Sequence, residues 1–260
     1  VLKLFFFLLL TLPLTAFASV TDSASAPATD VAPAPATEVA SAPATNLASA
    51  EKKFRVVIDP GHGGSDFGAV RDSFKESKIV LELARHLKTS LEELNVKDVH
   101  LTRESDQTLS LKERVTKANE IGADLFISLH ANTSSQPLWS GMEFYFNATS
   151  RPAAEAVPLK PTNNEVVSQI QKDFRHYEKT EKSLVLSKSM QLVLTDSREQ
   201  KSIIKRAPFY VIENTQMPSI LIEIGFISNR REAQKLIDPA YQKELAQLIA
   251  KALMNYQLRY

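Results

Sequence analysis

Phe54-Arg55-Val56-Val57-Ile58-Asp59-Pro60-Gly61-His62-Gly63-Gly64 decides the reading of this chain. Its first six residues, apolar and β-branched at the centre, have the composition of a buried strand, and Pro60-Gly61 breaks that strand. With the following Ser65-Asp66-Phe67-Gly68, four of the chain's seven glycines fall within eight residues around one histidine. Turn chemistry accounts for one or two of them. Four glycines flanking an imidazole predict a close approach to backbone that only glycine adopts cheaply. The segment reads as a metal or catalytic site at the carboxyl edge of a sheet.

Further strand-like runs lie outward from it, at Lys97–Thr102, Asp124–His130, Gly141–Asn147, Phe209–Glu213 and Ser219–Phe226. Between them, Ile79, Val80, Leu83, Ala84, Leu87 and Leu91 repeat at helical spacing. Ser110 and Glu113 form a capping box ahead of a second helix, and Leu245, Leu248, Ile249, Ala252, Leu253 and Tyr256 stripe the last one. Alternation of this kind predicts a single α/β domain. Its sheet should have about six strands, largely parallel or mixed, with helices on both faces. Ligands of such sheets bind outside the carboxyl ends of the strands.

Chemistry-bearing residues concentrate at those ends. His130 closes the run Leu125-Phe126-Ile127-Ser128-Leu129 and reads either as a polar cap or as a ligand. If its strand neighbours that of His62, the two imidazoles can share one ion. Glu76 opens the first helix, where an acid complements the helix dipole or supplies a third ligand. Two His and one Glu form a zinc set with an open position. Glu223 lies inside the apolar run Ile220-Leu221-Ile222-Glu223-Ile224, where an unpaired carboxylate is costly and points to catalysis. Glu143 alternates with Met142 and Phe144 and is expected to face solvent. Asp59 and Asp66 read as turn formers. Arg103, Arg114 and Asn119 read as solvated surface, with substrate orientation as the sharper role for each of them and for Asn132. His86, His100 and His176 are expected to be structural.

The composition sets bounds. Thirty-one Lys and Arg against thirty Asp and Glu suggest no nucleic-acid partner. Without cysteine there is no disulfide framework, thiolate catalysis or Cys-ligated metal. Residues 1–18, with Lys3, a short apolar core broken by Pro13, and Ala16-Phe17-Ala18, have the pattern of a cleaved signal peptide. This predicts export to the periplasm or outside the cell, with no transmembrane anchor left after cleavage. Residues 19–50 repeat Ala-Pro-Ala-Thr, which cannot bury a core, and read as a disordered linker ahead of a catalytic domain over 51–260.

Taken together, these residues resemble the zinc-dependent N-acetylmuramoyl-L-alanine amidases of bacterial cell-wall turnover. The stretches that carry the resemblance are Val57–Gly64, Lys75-Glu76, Leu101–Arg103, Leu111–Arg114 with Ala118-Asn119, Phe126–Asn132 and Met217–Asn229. The resemblance implies one zinc ion held by His62, Glu76 and His130, with Glu223 as the catalytic acid. It implies hydrolysis of the amide between the lactyl group of N-acetylmuramic acid and L-alanine in peptidoglycan, by a monomer. An exported zinc peptidase acting on the stem peptide, or an inactive wall-binding or activator protein, are the other readings. Residues 148–183 form an insert striped by Val166, Val167, Ile170, Phe174 and Tyr177. Division amidases of this family carry an inhibitory helix here, so the insert reads either as a regulatory segment that covers the zinc cleft and answers to a protein activator, or as a plain surface helix packed on the domain flank.

Overall fold

The computed structural model describes residues 53–147, 163–198 and 201–260, so the expected signal peptide, the linker and the first part of the insert lie outside the described residues. Chain order begins with β1 (Arg55–Pro60), the small hairpin β2 (Val70–Arg71) and β3 (Phe74–Lys75), α1 (Glu76–Glu93) and β4 (Asp98–Leu101). It continues through α2 (Leu111–Ile121), β5 (Leu125–Asn132), β6 (Met142–Phe146), α3 (Asn163–Arg198) and β7 (Ser202–Arg206). It ends with α4 (Tyr210–Asn214), β8 (Ser219–Phe226), α5 (Arg230–Leu236) and α6 (Pro239–Gln257).

Six strands form one sheet in the order β4-β1-β5-β8-β6-β7. All neighbours are parallel except β6 and β8, so the sheet is mainly parallel, as the alternation of elements predicts. Strand alternation divides the core between the two faces. Val56, Ile58, Leu125, Ile127, Leu129, Ile220 and Ile222 pack toward α1, α3 and α6. Val57, Phe126 and Leu221 pack instead with Val115 and Ala118 of α2 and Val211 and Ile212 of α4. Towards the carboxyl ends this second face turns polar, with Asp59, Ser128, His130 and Glu223 following the apolar residues at period two.

Two elements depart from the sequence expectation. Phe209–Glu213, rich in β-branched and aromatic residues, does not form a strand but the short helix α4. Val211 and Ile212, adjacent in sequence, are both buried in the second cluster, which a helix turn permits and a one-sided strand does not. The edge strand is β7 instead, and its pattern Ser202-Ile203-Ile204-Lys205-Arg206 is short and charged at one end, as protected edges are. The described part of the insert belongs to a longer helix. Residues 163–198 form one 36-residue helix, and Val166, Val167, Ile170, Phe174 and Tyr177 are exposed along its first half.

Candidate metal and catalytic site

The site begins with register. His130 on β5 is paired with Glu223 on β8, and Glu223 is paired with Glu143 on β6, so three polar residues form one row across the sheet. A slip of one residue in β5 or β8 would send these side chains to the opposite face. Glu76 reaches the row from the first turn of α1, and His62 from the loop that follows β1.

His62, Glu76 and His130 offer ligand atoms that all lie within 4.8 Å of one another. Glu76 Oε1 is 3.3 Å from His62 Nε2 and 3.0 Å from His130 Nδ1. The carboxylate is fixed before any ion arrives. Its Oε2 accepts the Ala69 N–H at 2.7 Å and its Oε1 accepts the Ala131 N–H at 2.9 Å. Burial raises the pKa of Glu76, but hydrogen bonds from the two imidazoles outweigh it and keep this acid ionised well below the ordinary range. Burial likewise opposes charge on His62, and Glu76 and Asp66 overcome it, lifting the imidazole to about 9. Two nitrogens and a carboxylate oxygen converging on one point suit a divalent cation.

Two of the four glycines, Gly61 and Gly68, are explained by this convergence. A Cβ on Gly61 would stand 2.3 Å from the His130 ring, and one on Gly68 would stand 2.4 Å from Glu76 Oε2 and 2.6 Å from the His62 ring. What approaches the backbone so closely is the donor set itself. His62 has φ +57°, a left-handed conformation uncommon outside glycine and characteristic of functional sites.

Asp66 does more than form a turn. Its Oδ2 is 2.8 Å from His62 Nδ1, which leaves Nε2 directed at Glu76, and its Oδ1 accepts the Gly68 N–H. Such an outer carboxylate fixes the ring's tautomer and orientation. Asp59 is not a turn former either. It is buried, pairs with Arg114 at 2.8 Å, and accepts hydroxyl hydrogen bonds from Thr102 and Ser128.

Arg103 and Arg114, expected at the surface, are 0% and 3% exposed. Arg103 donates to the carbonyls of Pro60, Gly61 and Ser77, and Arg114 to those of Pro60 and His62. Both guanidinium groups hold the loop that carries His62, so Arg103 is not available to orient substrate. Asn132 is also committed, with its amide donating to Glu143 Oε2 at 3.0 Å and its Oδ1 accepting the Thr133 N–H. Asn119 ties α2 to the segment after α4 through Asn214 and Gln216. Glu143 does not face solvent. It is 6% exposed and takes hydrogen bonds from Asn132, Tyr145 and Lys205, because β7 pairs beyond β6 and covers that side.

Glu223 differs from the other acids. Among the described residues its Oε2 is buried with no hydrogen-bond partner. Burial pushes its pKa up to about 7, Glu76 and Glu143 add to the rise, and the two histidines oppose it. It opens into a cleft of about 450 Å³ shared with His62, His130, Phe209 and Tyr210. Among the described residues, none of the insert lines this cleft. Ser183 of α3 accepts the Ser219 N–H at the amino end of β8, and Lys179 donates to the Ile212 and Glu213 carbonyls of α4. These contacts anchor α3 at the edge of the sheet opposite to His130 and Glu223, and residues 148–162 of the insert lie outside the described residues.

Comparison with known proteins places this geometry. The N-acetylmuramoyl-L-alanine amidase family model matches residues 56–255. N-acetylmuramoyl-L-alanine amidase LytC of Bacillus subtilis is 32% identical over 201 residues, which cover 77% of this chain and 35% of that protein. Amidase AmiC of Escherichia coli is 32% identical over 222 residues, covering 77% of this chain and 52% of its own length. The chain thus spans about half or less of these two relatives. The catalytic domain of CwlV from Bacillus (Paenibacillus) polymyxa superposes with a TM-score of 0.63 at 29% identity, covering 78% of this chain and 97% of that domain. With most of its described length matched, the chain belongs to the N-acetylmuramoyl-L-alanine amidase family.

Proposed function

We propose that this protein is an exported, zinc-dependent amidase that cuts peptidoglycan between the lactyl group of N-acetylmuramic acid and L-alanine of the stem peptide. The observation that carries the proposal is the placement of the unpartnered Glu223 carboxyl oxygen in the same row as the His62, Glu76 and His130 donor set. Family membership supports the bond cleaved, and the leader-like first 18 residues support export. No helix among the described residues is long and apolar enough to cross a membrane.

When bound by His62, Glu76 and His130, zinc supplies Lewis acidity toward the scissile carbonyl and acidifies water. The protein's own groups do the rest. Asp66 holds His62 in one orientation, and the Ala69 and Ala131 N–H groups hold Glu76. Glu223, kept nearly neutral-poised by burial, takes the proton of the attacking water and returns it to the departing alanine nitrogen. Phe209, Tyr210 and Leu221 give the cleft an apolar wall beside Glu223.

Digestion of purified sacculi, with the released ends identified by mass spectrometry, tests the reading. The expected products are free L-alanine amino termini and glycan chains with intact lactyl groups. Release of shortened stem peptides with the lactyl amide intact would identify a peptidase instead.

A further inference from the structure

We propose that a cationic groove beside the catalytic row binds the carboxylates of the acidic stem peptide, so that this protein selects stems with free over amidated carboxyl groups. The proposal rests on peptidoglycan being the substrate. The groove is formed where α5, the starts of β6 and β7, and the β2–β3 hairpin meet. Its cations are Arg71, Lys201, Arg230, Arg231 and Lys235. Five cations on one concave surface stand out in a chain whose net charge is +1.

Two acids, Glu232 and Glu244, also line the groove, and Arg71 lies 3.9 Å from Asp72, so the lining holds five cations against two acids. Glu232 accepts the N–H groups of Gly141 at 2.9 Å and Phe226 at 2.7 Å. Arg71 is held in place by a hydrogen bond to the Ser228 carbonyl. Lys201, Arg230, Arg231 and Lys235 are exposed and have no ion-pair partner among the described residues.

Position makes the groove part of the substrate path. A second depression, lined by Glu143, Lys205 and Trp139, shares Ser140, Gly141 and Lys201 with it. Glu143 is the register partner of Glu223, so the two depressions lead away from the catalytic row along β6 and β7. Two strand spacings separate β8 from β7, roughly 10 Å. An extended peptide advances about 3.3 Å per residue, which brings the second to fourth stem residues over the groove while the first lies at Glu223. Those are the residues that carry the stem's carboxylates. Lys and Arg on a solvated concave surface attract such a chain at long range and hold it by charge-assisted hydrogen bonds.

Calorimetric titration with two synthetic muramoyl tetrapeptides, identical except that one has its carboxyl groups amidated, tests the assignment. The wild-type protein is expected to bind the free acid at least tenfold tighter, with the preference falling as salt is raised. The combined variant Lys201→Gln, Arg230→Gln, Arg231→Gln and Lys235→Gln is expected to bind both alike. A matched variant with Lys53, Lys97, Lys188 and Lys251 changed to Gln is expected to keep the preference. Equal wild-type affinities, a preference surviving in the groove variant, or its loss in the matched variant would each overturn the groove. The bond cleaved is scored separately by mass spectrometry, so a peptidase outcome would remove the amidase reading while leaving the binding result to decide the groove.

Discussion

Glu223 carries the heaviest burden of any single residue. Its buried oxygen lacks a partner, which is costly in a folded chain and useful in an enzyme. Glu223→Gln is close to isosteric and keeps the packing against Leu221 and Ile224, but removes the proton acceptor. We expect metal content to be retained and kcat to fall by about 10²–10⁴-fold; a loss of only a few-fold would show that another group is the base. The same substitution should have an opposite effect on stability. Burial raises the folded-state pKa to about 7, above the ordinary 4.5. The folded state therefore holds its proton more tightly between those values, and the fold loses stability as pH rises through that window. In metal-free protein, Glu223→Gln should unfold at higher urea than wild type at pH 8 and show little difference at pH 4. Equal midpoints at pH 8 would count against a desolvated carboxyl. The buried pair of Asp59 and Arg114 makes a second residue-scale case. Arg114→Leu leaves Asp59 without its cationic partner and removes the donor to the His62 carbonyl, while Arg103 still serves Pro60, so a loss of roughly 3–5 kcal/mol in urea unfolding is expected. A loss under 1 kcal/mol would mean that water replaces the guanidinium.

At the scale of elements, the strands that carry chemistry were legible and the small pieces between them were not. β1, β5 and β8 are apolar runs ended by His or interrupted by Glu, and their burial leaves few alternatives. α4 was misread because Phe209-Tyr210-Val211-Ile212 has strand composition, while its conformation is decided by a residue far away in sequence. Lys179 of α3 is buried and donates to the carbonyls of Ile212, Glu213 and Thr215, satisfying the carboxyl end of α4. No local pattern announces that contact. The surface positions expected for Arg103, Arg114 and Glu143 failed for the same reason, since each satisfies groups brought near only by the fold. Lys179→Met fills similar space but takes the ammonium donor from the Glu213 and Thr215 carbonyls, while the Ser219 hydroxyl still serves Ile212. It should cost about 2–3 kcal/mol in stability and loosen α4, whose Tyr210 lines the cleft. Amide exchange localises the effect, with faster exchange expected around residues 210–215. Unchanged exchange there would show that α4 does not depend on Lys179.

Across the whole molecule, the candidate metal site joins three parts of the chain that share no continuous element. His62 follows β1, Glu76 opens α1, and His130 lies near the end of β5. His62, Glu76 and His130 stand out in the sequence because each sits at a strand or helix terminus, and the structure brings the three together. The loop supports were hidden, since Asp66, Arg103 and Arg114 act on His62 from the second layer. An ion bound by the folded state alone adds stability by mass action, about 2.7 kcal/mol at a hundredfold excess over its Kd. For a domain of this size, each 1 kcal/mol moves the melting midpoint by roughly 2–4 °C. Chelation should therefore lower the midpoint by about 5–10 °C, and added zinc should restore both midpoint and activity. Glu76→Ala removes the oxygen shared by both imidazoles, so its midpoint should no longer respond to chelator. A midpoint indifferent to chelator in the wild type, with no metal found by elemental analysis, would mean that His62, Glu76 and His130 form a hydrogen-bonded cluster with no ion. The catalytic role argued for Glu223 would then need a different electrophile.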